Sequence, residues 1–151
     1  MVLGYMMVHE RSEARRVALQ ALYQLDVQGD GYLVEGVQGF IDQATEVPRV
    51  REMAYFMAKS AWAFRVTADE WLGRIAPQWP VYRMAVVDRN FLRLAMWELV
   101  NYPGTPPKVV LDEAIRLGKE FSTAESGSFV NGIMDAVLKE HVKATGSGNQ
   151  T

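Results

Sequence analysis

The chain has 151 residues, 49% of them apolar, and a net charge of −2. That length supports a core burying roughly 70% of the unfolded surface, so disorder is excluded. The near-neutral balance excludes global basicity, and any nucleic-acid contact must come from a local patch. There is no cysteine, which excludes disulfides, thiolate nucleophiles and cysteine zinc sites and fits a reducing cytoplasm.

Residues 1–9 are mildly apolar but lack a basic start and a small-residue cleavage site, so they read as a flexible N-terminus rather than a signal peptide. No apolar run reaches membrane-spanning length, and no membrane partner is expected. Residues 10–143 read as a single all-helical domain. The first helix spans about Glu10 to Gln28, with Ala14, Val17, Ala18, Ala21, Leu22 and Leu25 as its apolar stripe. Gly29-Asp30-Gly31 ends it. A second helix covers Tyr32 to Ala44, weakened by Gly36 and Gly39. A third starts at Pro48, a favoured first-turn residue, with Val50, Met53, Ala54, Met57, Ala61 and Phe64 on one face.

Thr67 to Glu70 has the pattern of a capping box, opening a helix to about Ile75 or marking a bend in one longer helix. Pro77 and Pro80 bracket a break that holds Trp79, and a short piece from Val81 leads on. Asp88 to Asn101 is the organising stretch. Asp88 suits the N-cap, and only Arg89, Asn90, Arg93 and Glu98 interrupt an otherwise apolar surface. A helix apolar nearly all round is buried on several sides. Pro103 to Pro107 is a loop. Val109, Val110, Ala114, Ile115 and Leu117 then line a helix ending near Gly118 to Phe121. Ser122 to Glu125 signals another N-terminus, with Phe129, Ile133, Ala136 and Val137 facing inward beyond it. Residues 144–151 read as a disordered tail.

Chemistry-bearing groups are sparse. His9 and His141, the only histidines, sit at opposite ends of the chain. The pairs Asp69-Glu70 and Asp112-Glu113 fall in first helical turns, where negative charge is favourable anyway. No glycine loop has phosphate-binding spacing. Catalysis, a metal site and a cofactor are therefore not expected.

Three features invite a binding reading. Arg11, Arg15 and Arg16 precede Gln20 and Tyr23, with Arg11, Arg15 and Gln20 spaced four and five apart on a rough face. Guanidinium groups beside a stacking ring suit single-stranded RNA. The competing reading is a solvated face diluted by Glu10 and Glu13. Arg89 and Arg93 lie one turn apart, Arg93 reading as packed against an acid and Arg89 as freer. Ser128-Phe-Val-Asn-Gly132 places a ring and an amide near helix N-terminal amides, suited to a phosphate or base, or else to packing.

These stretches together resemble the NusB family of bacterial transcription antitermination factors. The resemblance is carried by Arg15 with Ala18-Leu-Gln-Ala-Leu-Tyr23, by Val87-Asp-Arg89, Leu92-Arg-Leu-Ala95 and Glu98-Leu99, and by Lys108-Val109 and Asp112-Glu-Ala-Ile115. It continues through Lys119, Phe121 and Phe129-Val-Asn-Gly-Ile-Met-Asp135, and covers residues 11–138. It implies an all-α fold of about seven helices in two small packed bundles around a central buried helix. It also implies a non-catalytic role: binding boxA RNA, with the ribosomal protein NusE as partner, on elongating RNA polymerase during ribosomal RNA synthesis. On that resemblance Arg11, Arg15, Arg16, Gln20 and Tyr23 belong to the RNA-binding helix, as do Phe129 and Asn131 to the last-helix motif. Asp88 and Arg89 match an acid–base pair serving RNA or a partner. Glu125 fills an acidic position that restrains RNA affinity. Ser12 and Glu13 depart from the family's run of arginines, which implies weaker RNA binding alone and more dependence on NusE. NusB-like domains also precede a methyltransferase catalytic domain, but this chain ends after its last helix. A protein–protein adaptor or homodimer with the arginine face buried is the alternative role.

Overall fold

Val17, Ala18, Ala21, Leu22 and Leu25 repeat every three or four residues, and that stripe lies wholly in the core. It belongs to the first of two compact units, Met1–Ala63 and Phe64–Thr151. A computed structural model describes residues 2–101, 105–121 and 124–145, and the side chains among them except those of 2–8 and 124–126. All regular structure among these residues is helical, as the sequence predicts.

In the first unit, α1 (Val2–Gln28) packs chiefly on α4 (Pro48–Ala63), with α2 (Tyr32–Glu35) and α3 (Val37–Ala44) completing the cluster. α1 begins at Val2 rather than near Glu10. Gly29 closes it in the left-handed region, φ +98°, its N–H bonded to Leu25 O at 2.8 Å. The single helix expected from Tyr32 to Ala44 is two. Gly36 separates them at φ −134°, and a Cβ there would collide with the Tyr32 ring. α4 starts at Pro48 as predicted and buries Val50, Ala54, Met57, Ala58, Ala61 and Trp62. The Trp62 indole donates to Asp30 Oδ1 at 2.8 Å, which satisfies a buried N–H and ties the first turn to α4. Arg51 of α4 donates through Nε to Thr45 O at 2.6 Å and through Nη2 to Asp42 O at 2.8 Å, filling carbonyls that the end of α3 leaves open.

In the second unit, α6 (Val86–Asn101) touches α5 (Arg65–Ile75), α7 (Pro107–Phe121) and α8 (Ala124–Thr145). Asp88 and every residue from Asn90 to Leu99 are buried, so α6 is the hub of this unit as its composition predicts. It starts at Val86, which puts Asp88 inside the first turn rather than at the cap. Its polar residues are absorbed internally. Asn90 Nδ2 donates to Val86 O at 2.8 Å, and Arg93 forms a two-pronged pair with Asp69 at 2.8 and 2.7 Å, the acid partner expected for it.

Thr67 is not an N-cap. α5 follows α4 after the single residue Phe64, so Thr67 sits in the third helical position and Asp69 serves Arg93. The stretch from Pro77 to Pro80 is irregular, and a 3-10 turn at Val81–Arg83 precedes α6. α8 turns Val130, Ile133, Met134 and Val137 inward, whereas Phe129, expected inward, is only half-buried. Residues 102–104 and 146–151 lie outside the described residues, as does the Glu125 side chain. No helix among the described residues is long and apolar enough to cross a membrane.

Candidate nucleic-acid interface

α1 presents its candidate residues on two different sides. At about 100° per residue, Arg16, Gln20 and Tyr23 fall within about 60° of one another and form one ridge. Tyr23 is 38% exposed, and Arg16 and Gln20 are half-buried. Arg15 stands about 140° from Gln20. It lines up instead with Leu19 and Leu22, four and seven residues on, and is 6% exposed. The expected row of Arg11, Arg15 and Gln20 is therefore not one face, because a spacing of five overshoots a helical turn. Arg11, half-buried, stands on the Arg15 side.

The ridge is charge-compensated. Arg16 Nη1 donates to both carboxylate oxygens of Glu13, at 2.8 and 2.7 Å. Glu10 lies 3.7 Å from Arg49 of α4. The dilution by Glu10 and Glu13 seen in the sequence is thus specific for Glu13, which neutralises the ridge's own cation.

The second unit brings together two expected residues and several unexpected ones. Asp88 and Phe129, 41 positions apart, line a pocket of about 330 Å³ with Trp79, Pro80, Arg83, Met84 and Ala85. The Phe129 ring meets the Trp79 ring edge-on, with centroids 5.3 Å apart and planes at 70°. Trp79 is 53% exposed, while Trp62, Trp71 and Trp97 are buried. Arg83 lies exposed with its guanidinium 5.9 Å from the Tyr82 ring centroid. Arg89 reaches back to Tyr82 O at 3.4 Å. Asn131 is exposed but stands about 200° from Phe129 around α8, so the two do not share the pocket.

Arg83 is not among the sequence candidates, and Trp79 enters the sequence reading as a candidate only among four tryptophans, of which an exposed one marks an interface. The available signal was an aromatic held between two prolines, in a segment too polar and broken to be core. No cluster of three or more His, Cys, Asp or Glu able to hold a metal occurs among the described residues.

Comparison with known proteins places this geometry. The NusB family model matches residues 12–139. The transcription antitermination protein NusB of Anaeromyxobacter dehalogenans is 41% identical over 132 residues, covering 87% of this chain and 92% of that protein. Thermotoga maritima NusB superposes with a TM-score of 0.74 at 31% identity, over 87% of this chain and 92% of that one. A chain from the crystal structure of antitermination factors NusB and NusE in complex with dsRNA superposes with a TM-score of 0.68 at 27% identity, covering 87% and 98%. With both the sequence motifs and the helical architecture in agreement, the chain belongs to the NusB family.

Proposed function

We propose that this chain is a non-enzymatic, cofactor-free transcription antitermination factor that binds RNA. The reading extends to boxA RNA as ligand, NusE as partner, and elongating RNA polymerase during ribosomal RNA synthesis in the cytoplasm as the setting. The observation that carries it is the α1 ridge, where Arg16, Gln20 and the exposed Tyr23 ring line one accessible strip. Guanidinium, amide and ring in that order offer a phosphate contact, a hydrogen-bonding group and a stacking platform for a single strand. The structural likeness to a chain from a NusB–NusE–dsRNA complex supports RNA and NusE as the ligand classes.

Because Glu13 occupies Arg16, RNA affinity of the chain alone is expected to be low and to rise with NusE. Asp88, Arg89, Phe129 and Asn131 are assigned to RNA or partner contact, while Arg11 and Arg15 stand on the other side of α1 from the ridge.

Titration of fluorescent single-stranded boxA RNA, with and without NusE at two salt concentrations, tests the reading. Binding that tightens with NusE and weakens with salt by a slope of about 0.7 per phosphate contact is expected. Absence of binding at low salt in both cases overturns it. The second reading, an adaptor or homodimer, draws on Val27 and Val34, which leave apolar surface exposed in the first unit. A dimer in sedimentation that neither RNA nor NusE dissociates is the result that favours it.

A further inference from the structure

α8 joins two unlike stretches. From Ile133 onward it buries Ile133, Met134 and Val137, and Ala136, Leu138, Lys139 and Glu140 are strong helix formers. From Gly127 to Gly132 the sequence is Gly-Ser-Phe-Val-Asn-Gly, without one strong helix former. Of those six residues only Val130 is buried.

The two glycines have no packing cause. A Cβ at Gly118 of α7 would come within 3.3 Å of the Phe91 ring, so glycine there permits a close approach. A Cβ at Gly127 or Gly132 would meet nothing within 4 Å, and neither residue has a positive φ. Alanine would fit both positions and hold the helix better, because glycine gives up more backbone freedom on ordering. Gly39 and Gly73 also have room for a side chain, but each stands alone in its helix.

The contacts that seat this stretch are few. Val130 enters the core, and the Phe129 ring meets Trp79 edge-on with centroids 5.3 Å apart. Trp79 is itself half-exposed and lies in the irregular stretch before α6, so that contact is made to a loop. A segment with low helix propensity and little buried apolar surface opens well below the free energy of global unfolding.

We propose that residues 127–132 form a strap that opens locally about Gly132 while the rest of α8 stays seated, and that bound RNA selects its closed form. Closing sets the Phe129 ring against Trp79 and winds Asn131 into the helix. A ligand that needs both side chains fixed therefore binds the closed form better and shifts the population toward it. The coupling to RNA rests on the assignment of Phe129 and Asn131 above, whereas the opening itself does not.

The test is native-state hydrogen exchange of the full chain at increasing low urea, alone and with boxA RNA plus NusE. The first four amides of a helix have no intrahelical acceptor, so amides 128–132 report on the strap and 134–140 serve as the reference. Protection at 128–132 should be about 10-fold or more below the reference and nearly insensitive to urea, as for an opening that exposes little surface. Gly127→Ala with Gly132→Ala should raise protection at 128–132 by about 5- to 25-fold. Equal protection along 128–140, an equally steep urea dependence, or no gain from the two alanines each overturns the strap. At RNA 100-fold above its Kd, protection at 128–132 should rise by up to about 100-fold and by more than the reference. If RNA binds without that preferential rise, the coupling falls and the RNA-binding reading stands. If no RNA binds even with NusE, that reading and the coupling both fall, while the urea series still decides the opening.

Discussion

Glu13→Gln should turn a muted RNA ridge into an open one. Glu13 grips the Arg16 guanidinium through both carboxylate oxygens, with the two side chains 42% and 36% exposed. A solvent-exposed pair three residues apart on a helix contributes only about 0.2–0.5 kcal/mol, so folding should barely respond. RNA binding should respond more. A phosphate must displace that carboxylate to reach Arg16, and the carboxylate repels the strand besides. Removing both penalties amounts to about 0.5–1 kcal/mol, or about 2- to 5-fold in affinity at low salt. The slope of log affinity against log salt should steepen by about 0.7, one added phosphate contact. Anisotropy titrations at two salt concentrations, with a thermal melt as control, measure all three quantities. In an Arg16→Gln background the same substitution should gain much less. An affinity and slope identical to wild type would refute the claim that Arg16 is the ridge's phosphate ligand.

The remaining predictions separate scaffold from surface. Tyr23→Ala should cost about 1–3 kcal/mol of RNA binding with little change in melting, whereas Leu92→Ala, at a fully buried site, should cost about 2–5 kcal/mol of stability in urea unfolding. Equal melting losses would make Tyr23 a core residue. Arg15→Ala should lower stability by about 1–2 kcal/mol, since its stem is enclosed, while Arg16→Ala should leave the melt unchanged. Identical melts for those two variants would count against the division of α1 into an inner and an outer side. Arg93→Met should destabilise by about 2–4 kcal/mol because it strands Asp69 and Asn90, and adding Asp69→Asn should restore part of the loss.

What was legible depended on how far apart the cooperating residues lie. The stripe of α1, the start of α4 at Pro48 and the burial of α6 all follow from patterns within one helix, and they appear where composition places them. Boundaries were harder. Gly36 reads as a weak point in a helix, yet the break there is set by the Tyr32 ring occupying the space of a side chain. Thr67 has the residues of a cap, but α5 has already begun, and tertiary pairing takes Asp69 to an arginine 24 positions later. A spacing of five looks like one face in the sequence, yet it turns Arg15 about 140° from Gln20 and into the core. The pocket was hardest to foresee. Trp79, Asp88 and Phe129 come from three segments, and only folding brings the ring of α8 against the loop before α6.

Arg51 gives the first unit a property that no helix in it has alone. Eight residues of α3 are too few to stay helical in isolation, and Val37 and Ile41 are the only two it buries. By bonding to carbonyls at the end of α3, a cation rooted in α4 also opposes the negative end of that short helix. α3 is thereby bound into the opening equilibrium of its longer neighbour. Its amides should exchange with solvent at the pace of α4, as one foldon, and not at the faster pace of a fraying fragment.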